Sequence, residues 1–266
     1  MEHIVITGGS RGIGKAMALE FMRKGCTVTI SGRNPETLKT AEDDLVNNSE
    51  TGECHSYVCD VTRQEDLEML WDKASSVRPV NIWINNAGVN HINYRFHELE
   101  YDVISSVIDT NIKGTAMGSK VAITGMLNQG FGAIYNMEGF GSDGRKIDGM
   151  SIYGTSKNGV RYLTRSLIKE YRDAPLLIGS ISPGMVVTDM LLEPLRTAPE
   201  KNRESIKIFH TLADTAERVT PWLVNHILGN KRNGARIAWL TPWKITWRFF
   251  SGIFKKRKVK GLPDYP

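Results

Sequence analysis

The stretch "IVITGGSRGIGKAMALEF", Ile4 to Phe21, decides the fold. A short apolar strand comes first, a glycine-rich turn follows, and a helical segment completes the unit. Gly8 and Gly12 permit a tight turn and a close backbone approach, and Gly14 lets the helix pack against the strand. Exposed N–H groups at the start of such a helix attract a pyrophosphate. The stretch therefore predicts the opening unit of a dinucleotide-binding domain.

Outward from this unit, short apolar strands alternate with helical segments. Strands are predicted at His3–Thr7, Cys26–Ser31, Cys54–Val58, Val80–Ile84, Ala133–Met137, Leu176–Ile181 and Ala235–Leu240. Helices are predicted between them, for example at Ile13–Lys24, Pro35–Asn47 and Gln64–Ser76. This alternation indicates a parallel sheet covered on both faces. We expect an α/β protein with a single-domain Rossmann fold over residues 1–242, built on a doubly wound parallel seven-stranded sheet.

The segment 189–230 breaks the alternation. It is helical in composition, is interrupted by Pro194, Pro199 and Pro221, and precedes the last predicted strand. An insertion there lies at the carboxyl edge of the sheet, where ligands of open α/β folds bind. We predict a small helical substrate cap; a cap that only completes the core is the alternative.

Composition excludes several classes of protein. The chain has 266 residues, of which 41% are hydrophobic and 24% charged, so it buries enough surface to need no disulfide or metal for stability. Three cysteines without a CxxC pair argue against a disulfide framework and favour a reducing compartment. The six histidines are scattered, so no metal site is expected.

The net charge of +5 belongs to one end of the chain. Seven basic residues and no acidic ones lie between Lys244 and Lys260, so the rest of the protein is slightly acidic. We treat residues 243–266 as an aromatic and basic C-terminal tail. The sequence contains no run of eighteen or more apolar residues, so a transmembrane helix is not expected. The first strand follows Met1 almost directly, without a leader pattern, so a cytoplasmic location is expected.

The end of the second strand predicts which dinucleotide binds. An NAD site usually has a carboxylate there, but this sequence has Gly32 and Arg33, with Arg11 in the first loop as a second cation. Guanidinium groups pair with a 2′-phosphate, so NADPH is expected in preference to NADH. The alternative is that Arg33 is only a solvated surface residue. Asp60 and Val61, after the third strand, are placed to meet the adenine.

Five motifs occur in the order and spacing of a known family. They are Thr7-Gly8-x-x-x-Gly12-x-Gly14, Asn85-Asn86-Ala87-Gly88, Asn111, Tyr153-x-x-x-Lys157 and Pro183-Gly184. Together they resemble the short-chain dehydrogenase/reductase family over nearly the whole chain. The resemblance implies cofactor contacts at Thr7, Gly8, Ser10, Arg11, Gly12, Ile13, Gly14, Arg33, Asp60, Val61, Asn86, Ala87, Gly88, Tyr153, Lys157, Pro183, Gly184, Val186 and Thr188.

The chemistry of a reductase fits the residue types. Tyr153 and Lys157 lie one helical turn apart and face the same side. A lysine ammonium near a phenol lowers the pKa of the phenol, which then protonates a carbonyl oxygen near neutral pH. The resemblance implies that Lys157 also holds the nicotinamide ribose and that Asn111 supports a water chain to this lysine.

The catalytic serine of the family is missing from its usual place. Gly139 or Phe140 stands there, after Glu138. Ser142 supplies the hydroxyl if the neighbouring glycines let the loop fold inward. Otherwise a backbone N–H, or Tyr153 alone, polarises the carbonyl.

Less general residues indicate a narrower branch. "NMEGFGSDGR", "YGTSKNGVRYLTRSL", "SPGMVVTDMLL" and "LTPWKITWRFF" resemble chlorophyll b reductases, which reduce the 7-formyl group of chlorophyll b to hydroxymethyl. The resemblance implies a bulky apolar pigment as substrate. Two other functions stay open: reduction of another bulky apolar aldehyde or ketone, such as a lipid or steroid, and dinucleotide binding without catalysis.

The tail mixes tryptophan and phenylalanine with a basic end. That composition suits a membrane interface, and a chain from a plant or alga would then lie in the plastid stroma or at the thylakoid surface. The alternative is that the aromatics pack on the domain or on a second subunit. No nucleic-acid-recognition fold accompanies the basic residues, so no nucleic-acid partner is expected. Members of the family commonly pair, which implies a homo-oligomer.

Overall fold

A parallel sheet forms the centre of the protein in the computed structural model, which describes residues 1–91, 94–197, 203–254 and 257–264. Its strands are β1 (His3–Thr7), β2 (Thr27–Gly32), β3 (Glu53–Val58), β4 (Ile82–Asn85), β5 (Gly132–Met137), β6 (Leu176–Ser182) and β9 (Arg236–Ala238). They pair in parallel in the order β3-β2-β1-β4-β5-β6-β9. The expected seven-stranded sheet is confirmed, and no strand boundary differs by more than two residues from its prediction.

The order of the strands places the ligand cleft. The chain runs from β1 outward to β3 and then returns to β4 on the other side of β1. In such a doubly wound sheet the crevice lies at this reversal, outside the carboxyl ends of the strands.

Helices cover both faces of the sheet. They are α1 (Gly12–Arg23), α2 (Pro35–Asn47), α3 (Gln64–Val77), α4 (Tyr101–Ile108), α5 (Gly114–Gln129), α6 (Ser151–Glu170) and α9 (Ala216–Leu228). Successive residues of β1 point to opposite faces, because side chains alternate along a strand. Ile4 and Ile6 join one core cluster with α1, α2 and α9, and Val5 joins the other with α3 and α5.

The cap is smaller than the sequence predicted. It consists of the two-residue strands β7 (Val186–Val187) and β8 (Asp214–Thr215), which pair in parallel, and of helices α7 (Asp189–Thr197) and α8 (Arg203–Leu212). The rest of the predicted cap 189–230 is α9, which packs on α1 through Val219 and Leu223 in the main core. Because its apolar face packs on α1, α9 belongs to the helical layer that covers this face of the sheet rather than to the cap. Pro199 lies outside the described residues.

The predicted tail begins as a helix, α10 (Pro242–Phe254). Its Arg248 and the later Arg257 bind the carboxylate of Asp214 in β8. The start of the tail is therefore fastened to the cap. Across the described ranges, no helix has the length and hydropathy to cross a membrane.

Candidate active site

The glycine-rich turn has the geometry of a phosphate cradle. Gly8 and Gly12 have φ angles of +64° and +57°, which favour glycine. A Cβ on Gly14 would clash with the carbonyl of Gly8 and lie 2.5 Å from Asn86 Nδ2. No side chain caps the N-terminus of α1, so its first N–H groups remain available to an anion. These residues fit the pyrophosphate of a dinucleotide.

Hydrogen bonds hold this turn against the end of β4. Thr7 Oγ1 accepts from the backbone N–H groups of Asn86 and Ala87, both at 3.1 Å. Asn86 Nδ2 donates to the carbonyls of Thr7 and Gly8, both at 2.9 Å. Thr7 and Asn86, predicted to contact the cofactor, thus also fix the shape of its cradle.

The residues predicted for the adenosine end lie at neighbouring strand ends. The site of a Cβ on Gly32 is 3.2 Å from Ser10 Oγ, which places the first loop beside the end of β2. Arg11 and Arg33 are exposed, and within the described residues neither forms an ion pair. These two cations are free to meet a phosphate.

Two further predicted residues follow β3. Asp60 accepts from the backbone N–H and the hydroxyl of Thr62, at 3.0 and 2.8 Å, which closes a turn. Val61 is buried against Gly114 at the start of α5. The turn therefore presents a fixed surface at the edge of the cleft.

The segment after β6 reaches back to the phosphate loop. Gly184 has a φ of +74°, and a Cβ there would lie 2.7 Å from Leu240 Cβ. The site of a Cβ on Gly12 is 3.5 Å from Thr188 Cγ2. The Pro183–Thr188 segment and the glycine-rich turn thus lie side by side, and the nicotinamide contacts of this segment stay a prediction.

Tyr153 and Lys157 are buried on α6 and face this cleft. They are 8% and 5% exposed, and Lys157 Nζ lies 5.9 Å from the centroid of the tyrosine ring. Nζ donates to the carbonyl of Met137 at 3.2 Å. The site of a Cβ on Gly88 is 3.5 Å from Nζ and 3.2 Å from Asn111 Oδ1. The structure therefore brings Tyr153, Lys157 and Asn111 together.

Asn111 lies in a π-helical segment, Asp109–Lys113, between α4 and α5. Its side chain accepts from the N–H of Val89 and donates to the carbonyl of Val89, both at 2.9 Å. It also donates to Ser156 Oγ, which in turn donates to the carbonyl of Tyr153. Asn111 thus connects the loop after β4 to α6. Sequence analysis missed Ser156, which has no motif of its own.

The loop before α6 places Gly139 next to the hydroxyl of Tyr153. A Cβ on Gly139 would clash with the hydroxyl of Tyr153. Ser142 is buried, and its Oγ accepts from the N–H of Gly139 at 3.0 Å. The loop does fold inward, and a catalytic role of Ser142 stays a prediction.

Glu138 is a buried acid that the sequence analysis did not assign. It is 3% exposed, accepts from Ser180 Oγ at 2.9 Å and forms an ion pair with Arg236 at 2.8 Å. An acid at the end of an otherwise apolar strand was the available signal. The residues that bind Glu138 are distant in the sequence, so they gave no signal of this contact.

Burial controls both titrating groups. It raises the pKa of Tyr153 to about 12. It lowers the pKa of Lys157 to about 8, while the charge of Glu138 acts in the opposite direction. The pKa of Tyr153 thus moves opposite to the sequence-based expectation, because desolvation of the phenolate dominates. The phenol of Tyr153 is consequently protonated at neutral pH. Nowhere in the described residues do three or more His, Cys, Asp or Glu side chains form a group that could hold a metal ion.

Residues 2–198 match the short chain dehydrogenase family. The chain belongs to this family and is an NAD(P)-dependent oxidoreductase of the reductase type. It is 36% identical to "Chlorophyll(ide) b reductase NOL, chloroplastic" of Oryza sativa subsp. japonica, over 98% of this chain and 78% of the relative. It is 33% identical to "Probable chlorophyll(ide) b reductase NYC1, chloroplastic" of the same organism, over 91% of this chain but only 50% of that relative.

A solved structure shares the fold. A putative NAD(P)-dependent gluconate 5-dehydrogenase from Beutenbergia cavernae with bound NADP is 25% identical. The match has a TM-score of 0.76 and covers 89% of this chain and 94% of the other.

Proposed function

We propose that this protein reduces the 7-formyl group of chlorophyll b or chlorophyllide b to hydroxymethyl, with NADPH as the reductant. The observation that carries the proposal is the similarity to the rice chlorophyll(ide) b reductase over 98% of the chain. The match to the general family ends at residue 198. The longer similarity therefore includes α8, α9 and α10, which the general family match does not reach.

The chain's own residues fit this reaction. When bound, NADPH supplies a hydride to the formyl carbon. Tyr153 donates its phenol proton to the formyl oxygen, which completes the hydroxymethyl group. With a pKa of about 12, the phenol is protonated at neutral pH. Lys157, with a pKa of about 8, is then positively charged and stabilises the phenolate that forms.

Two arginines support NADPH over NADH. Arg11 and Arg33 are exposed beside the first loop and the end of β2, where a 2′-phosphate would meet them. The end of this strand carries Gly32 and Arg33 instead of the acid that binds a ribose 2′-hydroxyl.

The test is incubation of the purified protein with chlorophyllide b or chlorophyll b, with NADPH or NADH, and chromatography of the pigments. We expect the 7-hydroxymethyl product with NADPH. In Tyr153→Phe, turnover should fall roughly 10²- to 10⁴-fold with NADPH affinity retained. Tyr162→Phe, an exposed tyrosine on the same helix, is the matched control. If the protein reduces lipid or steroid carbonyls but not the pigments, the proposed substrate is wrong. If it turns over no carbonyl at all, the result favours a protein that binds a dinucleotide without catalysis.

We also infer that α10 docks the protein on an anionic lipid surface, from which an apolar pigment is delivered. An amphipathic helix in water normally buries its apolar side. Over residues 242–252 of α10 the buried side chain is Arg248, while Trp243 and Trp247 are 78% and 59% exposed. Trp247 stacks loosely on Phe250, itself 54% exposed, at 6.0 Å between ring centroids. Aromatic rings beside cations are typical of a membrane interface. Relatives with "chloroplastic" in their names support a plastid location for this docking.

Vesicle co-sedimentation tests the docking. Vesicles that contain phosphatidylglycerol should retain the protein, and pure phosphatidylcholine vesicles should retain much less. Trp243→Ser with Trp247→Ser should abolish retention, and the matched control Tyr162→Ser, also exposed, should not. A stable dimer in solution that these tryptophan variants dissociate would instead assign the surface to a second copy of the chain.

A further inference from the structure

His91 is a buried residue outside the family's motifs. It follows the Asn86–Gly88 turn after β4, at the carboxyl edge of the sheet where the cleft lies, and it is 6% exposed. Its Nε2 accepts a hydrogen bond from the backbone N–H of Tyr153 at 3.3 Å. The residue that is expected to donate the catalytic proton is thus held by an imidazole from a distant loop.

This contact replaces a missing helix cap. The first N–H groups of a helix lack partners within the helix, and a cap residue usually bonds to the second or third of them. Met150, at the cap position of α6, provides no side-chain hydrogen bond. Tyr153 is the third residue of α6, so His91 accepts at the place where a cap would.

The other ring nitrogen of His91 has no hydrogen-bond partner in the part of the chain that the structure describes. Because Nε2 accepts, the neutral imidazole carries its hydrogen on Nδ1. Burial lowers the pKa of His91, which favours this neutral form. Nδ1 is buried and forms no hydrogen bond within the described residues, and the same is true of Oδ1 of the adjacent Asn90. Buried polar atoms without partners are rare and point to an interaction elsewhere.

Gly139 brings no side chain, and so no donor, to the hydroxyl of Tyr153, and Ser142 Oγ accepts from the N–H of Gly139. A donor elsewhere on the cleft that bonds to an acceptor oxygen of the substrate fixes the orientation of the bound substrate and adds to its affinity.

We propose that His91 serves both Tyr153 and the substrate: Nε2 positions the tyrosine by capping α6, and the Nδ1 hydrogen donates to an acceptor oxygen of the substrate. The second half rests on the reductase activity proposed above. The first half depends only on the protein.

Two amide variants separate the two halves. In His91→Gln the side-chain oxygen can occupy the place of Nε2, which keeps the cap and removes the Nδ1 donor. In His91→Asn the side-chain nitrogen can occupy the place of Nδ1, which keeps the donor and loses the cap. His91→Phe removes both groups at similar volume. Kinetics with chlorophyllide b and NADPH are measured for all three, together with NADPH affinity, which should not change.

We expect His91→Gln to raise KM roughly tenfold with little effect on kcat, because a substrate hydrogen bond is lost. His91→Asn should lower kcat roughly tenfold with little effect on KM, because Tyr153 is displaced. His91→Phe should show both changes. A wild-type KM in His91→Gln overturns the donor role, and a wild-type kcat in His91→Asn overturns the positioning role. Unchanged kinetics in His91→Phe with a lower Tm would leave only a structural cap.

Failure of the proposed function is visible separately. A wild-type protein that does not reduce chlorophyllide b overturns that function and with it the donor role. Hydrogen exchange at the Tyr153 N–H needs no substrate and decides the positioning role. His91→Gln should keep the wild-type protection of this amide, whereas His91→Asn and His91→Phe should lose it. If the Tyr153 amide is protected from exchange to the same degree in all three variants, the positioning role is overturned.

Discussion

The cofactor end and the cap end of this molecule are held together by different forces. At the cofactor end, α1 and β1 pack through fully buried aliphatic side chains, and glycines set the shape of the turn between them. At the cap end, Asp214 of β8 is a fully buried carboxylate that binds Trp239, Arg248 and Arg257. Apolar packing at the cofactor end is distributed over many contacts, whereas at the cap end one carboxylate joins three side chains that lie after β9 in the chain. The cap end should therefore loosen without loss of the cofactor end.

Removal of the Asp214 charge should have the largest effect on stability. Asp214→Ala leaves Arg248 buried without its carboxylate, a change that costs about 3–5 kcal/mol. We expect a lower Tm, faster proteolysis after residue 240 and unchanged NADPH affinity. Asp173→Ala is the control, because its ion pair with Arg172 is exposed and contributes about 0–1 kcal/mol. Proteolysis at the wild-type rate would show that other contacts hold the tail.

The pH dependence of this anchor has a defined sign. Burial raises the pKa of Asp214, but the hydrogen bond from Trp239 and the charges of Arg248 and Arg257 outweigh it and lower the pKa below its ordinary value. Stability from a carboxyl whose pKa falls on folding is present above the unfolded pKa of about 3.9 and is lost as pH falls through the folded pKa. Asp214→Ala should therefore differ most from the wild type at neutral pH, and the two should converge in acid.

A second variant tests the cofactor end in the same way. Gly14→Ala adds a Cβ that lies 2.5 Å from Asn86 Nδ2 and also clashes with the Gly8 carbonyl. Overpacking of this kind costs about 1–3 kcal/mol, and it distorts the cradle, so NADPH affinity should fall while the tail stays docked. Gly252→Ala, in α10, meets no atom within 4 Å and serves as the matched control. Normal cofactor binding by Gly14→Ala would contradict the proposed role of this glycine.

The two ends also differ in how well the sequence predicts them. The strands, the glycine-rich turn and the Tyr153–Lys157 pair are specified by residues close together in the chain, so their patterns are visible in short windows. Arg236 of the Glu138 ion pair and Arg248 of the Asp214 ion pair lie tens of residues away, and no local pattern connects them. The same is true of His91, whose imidazole bonds to a helix 62 residues further on.

Besides contacts between distant residues, the sequence could not predict which side chains are buried. The predicted cap 189–230 included α9, because helical composition alone does not tell which helix packs on α1. The pKa of Tyr153 was expected to fall beside Lys157 but rises, since burial of the phenol outweighs the charge of its neighbour. For the tail, the sequence left open whether its aromatics meet a membrane or pack on the protein; in the structure Arg248 is buried while Trp243 and Trp247 are exposed.

A smaller effect should distinguish the two dinucleotides at the cofactor end. Arg33→Ala removes an exposed cation from the end of β2, and an exposed charge pair contributes about 1 kcal/mol, or roughly fivefold in affinity. NADPH affinity, measured by titration of its fluorescence, should fall by this factor, and NADH affinity should stay constant. Arg172→Ala, an exposed arginine on a distant turn, is the control. Equal losses for both cofactors would show that Arg33 does not bind the 2′-phosphate.

The smallest effect is expected between the two ends, where Glu138 lies behind the catalytic lysine. Burial lowers the pKa of Lys157 to about 8, and the charge of Glu138 raises it. Because the proposed reaction needs the charged lysine, kcat/KM for reduction should fall as pH rises through about 8 in the wild type. Glu138→Gln removes the charge, so the pKa of Lys157 falls further and the decline begins at a lower pH. Kinetics across pH 6 to 10 measure this shift.

Ser180→Ala separates charge from structure in this experiment. It removes the hydrogen bond that Glu138 accepts at 2.9 Å but leaves the ion pair between Glu138 and Arg236 in place. The alkaline decline of Ser180→Ala should therefore match the wild type. A decline that moves equally in both variants would mean that the position of β6, rather than the charge of Glu138, sets the lysine pKa. A decline that moves in neither would mean that a group other than Lys157 limits the reaction in alkali.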